Sequence, residues 1–258
     1  LEPTLVGISV RSTLFKLASK ITEKIKKETD ALVIWGGVHP TIRPTQSLEF
    51  ADIACIGEGE EAIVELAAKL SKGEEIDSIQ NLWVKKGNKI IKNASRPLIQ
   101  NLDSIPFPAR DLFDLNIYYQ APTKKISDEK AGPILTSRGC AFVCTHCISQ
   151  KIWGRKVRFR SPENVIKEIE ECIEKYGIRE FNFFDDTFTL DQERAIKICD
   201  LIIQKNLNIH WNALSRVNTI NKELAIKMKK AGCGKISFGL ESGSQKILDL
   251  MKKKATLS

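Results

Sequence analysis

Three cysteines spaced Cys140-x3-Cys144-x2-Cys147 are the residues of this chain whose type and spacing speak most directly of chemistry. Thiolates are the ligands that iron–sulfur clusters require, and three of them on a four-iron cubane leave one iron with an open position that a small molecule can fill. The competing reading is a zinc knuckle, for which a C-x-x-C pair is also suitable. Zinc would need a fourth ligand. His146 is wedged between two of the cysteines, where its ring is poorly placed to reach the same metal, and no second C-x-x-C or His pair occurs elsewhere. Cys140, Cys144 and Cys147 are therefore expected to hold a [4Fe-4S] cluster.

The elements that must position this loop follow a βα rhythm. The apolar pattern predicts strands at 134–136, 181–184, 209–214 and 236–238, alternating with helices at 162–175, 191–205, 222–231 and 244–251. Ser161 and Pro162 give the first helix an N-cap and a proline at its first position. Four such units with polar residues at the strand ends suggest a barrel-type arrangement with its site on that face. The same rhythm opens the chain. Residues 5–10 read as a buried strand, Leu14, Leu17, Ala18, Ile21 and Ile25 as the apolar face of a helix, and 31–35 and 53–56 as further strands. A helix through Ala62, Ile63, Leu66, Ala67 and Leu70 closes this first part near Ser71. Residues 74–129 change character: Gly87-Asn88 sits between two short apolar runs like a hairpin turn, and Pro106-Phe107-Pro108 forbids regular structure. The expected division is 1–73, a connecting segment 74–129, and 130–258.

The run Ser137-Arg138-Gly139-Cys140-Ala141-Phe142-Val143-Cys144-Thr145-His146-Cys147 resembles the cluster-binding loop of the radical S-adenosylmethionine superfamily in cysteine spacing and in its place after a strand. The resemblance implies that the open iron chelates the amino and carboxylate groups of S-adenosylmethionine. An electron from the cluster then breaks the sulfonium–carbon bond and yields a 5′-deoxyadenosyl radical. Ala141 stands where the family often has Pro, and His146 where it often has Phe or Tyr, so His146 keeps a planar ring beside the adenine position. The end of the second strand binds the methionine amino group in the family, often through Gly-Gly-Glu; here Asp185 and Asp186 stand there and are expected to act jointly. Adjacent residues on a strand point opposite ways, so one can face the cofactor and the other the backbone. The plain alternative is an N-cap and turn. After the third strand, Arg216 is expected to clamp the methionine carboxylate as a bidentate pair, with a surface arginine as the alternative. The fourth strand ends in Ser237-Phe238-Gly239-Leu240-Glu241-Ser242-Gly243, where the family contacts ribose and carboxylate. Ser237, Glu241 and Ser242 are the expected contacts, against a Glu241 placed only for a helix dipole.

Three glycine-bearing segments near the start, Gly7-Ile8-Ser9-Val10-Arg11-Ser12, Trp35-Gly36-Gly37-Val38-His39-Pro40-Thr41 and Gly57-Glu58-Gly59-Glu60, resemble the C-terminal part of a cobalamin-binding domain. Such a domain precedes the radical module in methyltransferases and ring-forming cyclases. The resemblance implies cobalamin contacts at Ser9, Ser12, Gly36, Gly37, Gly57 and Gly59, where backbone can approach a large corrin closely. The Asp-x-His-x-x-Gly element that ligates cobalt in many such domains is absent from the sequence, and His39 is expected to be structural. The chain does not begin with Met, and its first strand is already apolar, so it is expected to begin inside a longer polypeptide. The family's barrel has six βα units, of which four are placed here.

Bulk properties fit this reading. The chain has 258 residues, 42% hydrophobic and 28% charged, as in an ordinary globular protein. The net charge of +8 comes from lysines scattered along polar faces, which argues against a nucleic-acid surface. Lys252, Lys253 and Lys254 form a compact run that reads as helix-terminal cations without a function. Of seven cysteines, Cys55, Cys172, Cys199 and Cys233 fall in apolar or glycine-flanked positions and read as packing, not as a disulfide framework. No apolar stretch is long enough for a bilayer span and no signal peptide is apparent, so a cytoplasmic location is expected. The expected fold is α/β, a partial (β/α) barrel of the radical S-adenosylmethionine type preceded by part of a Rossmann-like cobalamin-binding domain. The expected activity is reductive cleavage of S-adenosylmethionine in methyl transfer or cyclase-type chemistry, with cobalamin as a further cofactor, a flavodoxin or ferredoxin as reductant, and a small-molecule substrate. The alternatives are an oxidoreductase whose N-terminal domain no longer binds cobalamin, and a non-catalytic iron–sulfur electron-transfer protein.

Overall fold

A computed structural model of the chain describes residues 2–115 and 131–257, which fall into two compact units, Leu1–Ile99 and Gln100–Ser258. In the first unit, β1 (Leu5–Ser9), β2 (Leu32–Gly36) and β3 (Ile53–Cys55) are parallel neighbours. An antiparallel hairpin of β4 (Leu82–Lys86) and β5 (Lys89–Lys92) extends the sheet beyond β3. The helices are α1 (Phe15–Glu28), the short α2 (Val38–Ile42) and α3 (Pro44–Ser47), and α4 (Glu60–Ser71). Alternation along β2 divides the core in two: Val33 and Trp35 pack with Ala18 of α1, whereas Ile34 packs with Ala62 and Leu66 of α4. Helices on the two faces of a parallel sheet are what its apolar strands need.

Two expectations for this part are corrected. The run 5–10 is buried only in part: Val10 is fully buried, but among the described residues β1 lies at the sheet edge, with Leu5, Val6 and Ile8 only partly covered. The apolar face expected for α1 is rotated, since Leu14, Leu17 and Ile21 are exposed while Ala18, Ser19 and Thr22 face the core. Trp35 is responsible, because its indole N–H donates to Thr22 Oγ1 at 2.8 Å and draws a polar side chain inward. The described part of the segment 74–129 contributes side chains to both units. Ile79, Leu82 and Val84 are buried in the first unit's core, whereas Leu102 and Arg110 are buried within the second unit. Residues 116–130 of that segment lie outside the described residues.

The second unit holds four parallel strands in spatial order β6 (Ala131–Ile134), β9 (Glu180–Phe183), β10 (His210–Ser215), β11 (Cys233–Phe238). A small antiparallel ladder, β7 (Ser137–Arg138) with β8 (Arg158–Phe159), stands beside them and was not foreseen. The helices are α5 (Ser149–Trp153), α6 (Pro162–Tyr176), α7 (Gln192–Gln204), α8 (Lys222–Lys230) and α9 (Gln245–Leu250). Residues of α6, α7 and α8 join Phe181, Phe183, Trp211 and Ala213 in one core. Consecutive strands are spatial neighbours and their connecting helices share this core, which is the winding of a barrel wall and not of a doubly wound sheet. Ser161 caps α6 by accepting from Asn164 N–H at 3.1 Å, and Gly177 closes it in the left-handed conformation. Cys172, Cys199 and Cys233 are buried here, with burial pushing their thiols to about 11, about 12 and about 11, and Cys55 in the first unit is pushed to about 11. These four are packing residues.

Candidate cofactor site

The chemistry gathers at the C-terminal ends of the four parallel strands. A cavity of about 350 Å³ is lined by Cys140, Cys144 and Cys147 together with His146, Asp186, Arg216, Ser237 and Glu241. The loop carrying the cysteines leaves the β7–β8 ladder at Gly139, whose φ is +105° and where an added Cβ would lie 2.7 Å from the Lys156 carbonyl oxygen. Glycine is the residue that fits there, and it turns the chain toward the strand ends.

The sulfurs are met by donors. Ser149 N–H donates to Cys147 Sγ at 3.4 Å, and Arg216 Nη1 donates to Cys144 Sγ at 3.3 Å. The Cys140 thiol is raised by burial and drawn back by bonds from Phe142 N–H and the Thr187 hydroxyl. Hydrogen bonds to sulfur are what a protein supplies to thiolates carrying a cluster, and three thiols beside an open cavity are the donor set for one. Among the described residues no three His, Cys, Asp or Glu side chains converge closely enough for a single ion. A cluster, in which each thiolate takes its own iron, does not require such convergence. The residues fit the group.

Of the two aspartates only Asp186 reaches the cavity. Its carboxyl accepts from the Ser149 hydroxyl, and its pKa is raised, mainly by burial. Asp185 points the other way and is fully buried, accepting from Thr136 N–H at 2.7 Å and from the Thr136 and Ser137 hydroxyls at 2.5 Å each. It anchors the chain that leads into the cysteine loop, so the two carboxyls face opposite ways, one to the cavity and one to the backbone. Ser242 also stays out of the cavity lining, and its hydroxyl accepts from Ser244 N–H at 3.1 Å instead. Arg216 is 6% exposed, with its guanidinium 3.7 Å from the Phe142 ring centroid and Nη2 donating to the Lys253 carbonyl. Glu241 has φ +66° and pairs through Oε1 with Lys253 Nζ at 2.9 Å, which holds its carboxyl below the usual range. Lys253 itself is only 5% exposed and lines the cavity. The sequence reading gave it no function, because a lysine run after a helix looks like solvated charge. Phe142, Thr187 and Ser215 also line the cavity and were not singled out as contacts from the sequence.

In the first unit, the residues singled out for cobalamin cluster at the ends of β1, β2 and β3. Ser9 ends β1, Gly36 ends β2, and Gly37, with φ +95°, leaves only 3.1 Å between an added Cβ and Ser9 Oγ. Gly57 N–H donates to Thr41 Oγ1 at 3.0 Å, and Gly59 stands at the N-cap of α4. Strand ends are where open α/β sheets bind their ligands. Ser12 is partly committed, since its Oγ lies 3.1 Å from Nδ1 of the buried His39. The His39 ring rests against the Phe15 ring at 4.8 Å, its backbone N–H donates to the Val10 carbonyl, and its pKa is lowered by burial and by Arg43.

Residues 134–258 match the sequence model of the radical SAM superfamily, and residues 1–67 match that of the B12 binding domain. An uncharacterised methyltransferase of Pyrococcus horikoshii is 39% identical over 99% of this chain and 55% of its own length. An anaerobic magnesium-protoporphyrin IX monomethyl ester cyclase of Cereibacter sphaeroides is 31% identical over 100% of the chain and 43% of its own length. Among solved structures, the radical S-adenosylmethionine methyltransferase TsrM from Kitasatospora setae superposes with a TM-score of 0.79 at 22% identity, covering 95% of this chain and 50% of that one. The cobalamin-dependent radical enzyme OxsB superposes with a TM-score of 0.79 at 23% identity, covering 99% and 38%. The fold and the two matched domains define a class: the chain belongs to the radical SAM superfamily. Within it, the chain falls in the subgroup that carries a B12-binding domain, and it spans about half the length of the curated relatives it matches.

Proposed function

We propose that this chain is the cluster- and nucleotide-binding part of a radical S-adenosylmethionine enzyme that carries out cobalamin-dependent methyl transfer or cyclase-type chemistry on an unactivated carbon. The observation that carries the reading is the single cavity lined by Cys140, Cys144, Cys147, Asp186, Arg216 and Glu241. The relatives' names, methyltransferase and cyclase, support the two reaction types. When bound, the [4Fe-4S] cluster supplies one electron to the sulfonium of S-adenosylmethionine held at its open iron.

The chain's own residues bind and orient. Asp186 accepts from the methionine ammonium, and the Ser149 hydroxyl fixes its carboxylate. Arg216 has five N–H donors, of which Cys144 Sγ, the Lys253 carbonyl and Asn218 Oδ1 take three, and the remaining N–H on each Nη is left for the methionine carboxylate. Glu241 accepts from the ribose hydroxyls, Ser237 borders the same space, and the His146 ring flanks the adenine. Ser9, Gly36, Gly37, Gly57 and Gly59, with Ser12 beside them, offer backbone and hydroxyl groups to a corrin and its tail. Residues 1–73 act as the cobalamin-binding part and 130–258 as the radical module, in a cytoplasmic protein fed by a flavodoxin or ferredoxin. Its substrate is a small molecule. Among the described residues no helix is long and apolar enough to cross a membrane.

The test is anaerobic reconstitution of the chain with iron and sulfide, followed by reduction with S-adenosylmethionine present and separate incubation with hydroxocobalamin. Formation of 5′-deoxyadenosine and retention of corrin absorbance after desalting are the expected results. Cluster formation with neither would leave the electron-transfer reading in its place.

A further inference from the structure

The turn after α9 ties together parts of the cavity that are far apart in sequence. The Met251 carbonyl accepts from Thr145 N–H at 3.0 Å, inside the cysteine loop. The Lys253 carbonyl accepts from Arg216 Nη2, and the Lys254 carbonyl from Asn218 Nδ2 at 3.0 Å. Lys252 and Lys254 both have φ +52°, a left-handed conformation that side-chain-bearing residues avoid unless their surroundings hold them there. The turn is thus bent so that Lys253, between them, points inward. A lysine so well buried needs a partner for its charge, and it has one in Glu241 Oε1 at 2.9 Å. Gly239 makes the space: a Cβ there would lie 2.6 Å from Glu241 Oε1 and 2.9 Å from Lys253 Nζ.

We propose that Lys253 is a positioning residue for nucleotide binding. It holds Oε1 of Glu241, so that Oε2 accepts from the ribose hydroxyls, while its backbone carbonyl steadies Arg216. The inference rests on the S-adenosylmethionine reading above and adds a residue to it. A lysine that only ended α9 would bond to that helix's carbonyls through its side chain. Here the backbone N–H makes that bond, to Leu248 O at 2.9 Å, and the ammonium is left for Glu241.

The experiment measures equilibrium dissociation constants of S-adenosylmethionine and of its 2′-deoxyribose counterpart for the reconstituted chain, by anaerobic dialysis with labelled ligand. Lys253→Met should weaken S-adenosylmethionine binding about 10- to 100-fold, the worth of a hydrogen bond to a charged group, and should erase the preference for ribose over 2′-deoxyribose. Glu241→Gln should do the same, and the double variant should be no worse than either single one. Gly239→Ala, which leaves both partners present but pushes them apart, should also lose the ribose preference and covers the case in which Lys253→Met does not fold. Lys253→Arg should recover part of it. An unchanged preference in Lys253→Met and Gly239→Ala, or equal weakening of both ligands with additive effects in the double variant, would overturn the assignment. A wild-type chain that assembles its cluster and binds neither ligand would overturn the underlying reading as well, which separates the two failures.

Discussion

Replacing Asp185 tests whether the two adjacent aspartates really divide between anchoring and binding. Asp185 is fully buried and accepts three hydrogen bonds, one from a backbone N–H and two from hydroxyls. Asp185→Ala leaves the Thr136 N–H without that acceptor, which costs about 1–3 kcal/mol. The hydroxyls of Thr136 and Ser137 can turn, so their loss is smaller, and the total comes to about 3–5 kcal/mol, the range for breaking a buried charged network. Asp185→Asn keeps the volume. With its Oδ1 toward Thr136 N–H, its amide donates to the two hydroxyl oxygens, and only the charge assistance is lost, about 1–2 kcal/mol. Asp186→Asn should stay within about 0.5 kcal/mol of wild type, because burial already disfavours its charged form. Urea unfolding should be followed by pulsed hydrogen exchange of peptides covering β6, β9 and β10, which report the second unit separately. With a slope of about 2–3 kcal/mol per molar urea, Asp185→Ala should lower the midpoint by roughly 1–2 M. An Asp185→Ala variant as stable as wild type, or an Asp186→Asn variant as unstable as Asp185→Ala, would show that Asp185 is not the anchor.

The cysteines should divide in the same way under alkylation of the native, cluster-free chain at pH 8. Cys147 is exposed and should react first, Cys140 and Cys144 more slowly, and Cys55, Cys172, Cys199 and Cys233 only after unfolding, as read by mass spectrometry of the labelled peptides. Thr22→Val leaves the buried Trp35 indole N–H without its acceptor and should cost about 1–3 kcal/mol in urea unfolding of the first unit. His39 has a folded pKa below 6.5, so its neutral form is favoured in the native state and the unfolded chain binds the extra proton. The stability it contributes is therefore complete above pH 6.5 and lost as pH falls through 6.5 toward the folded value. Unfolding midpoints measured from pH 7.5 to 5.5 should fall for wild type and fall less for His39→Asn.

The βα rhythm of the second unit was legible because short apolar stretches alternate with helical periodicity, and because Ser161 and Pro162 mark the start of its first long helix. The cysteine loop was legible because its spacing and its place after a strand resemble the family's cluster-binding loop. What the sequence hid was the destination of side chains. That Asp185 and Asp186 can face opposite ways was readable, but which of them turns to Thr136 and which to Ser149 was not. Lys253 looked like one of three solvated cations, because a left-handed turn at Lys252 and Lys254 leaves no mark in residue type. The face of α1 was misread for a related reason: Thr22 is polar by type and is buried by a single bond to Trp35. The ladder of β7 and β8 is two residues per strand, too short for any periodicity to reveal.

In the proposed enzyme Cys140, Cys144 and Cys147 hold a cluster whose remaining iron receives S-adenosylmethionine, and electron paramagnetic resonance of the reconstituted, reduced chain, with and without methionine-labelled S-adenosylmethionine, reads that arrangement. A [4Fe-4S]⁺ signal is expected that shifts when the ligand is added, shows coupling to the labelled amino nitrogen, and disappears when any one of the three cysteines becomes alanine. A signal that persists in those variants would remove the cysteines as its ligands, and one that does not respond to S-adenosylmethionine in the wild-type chain would remove the nucleotide from the open iron.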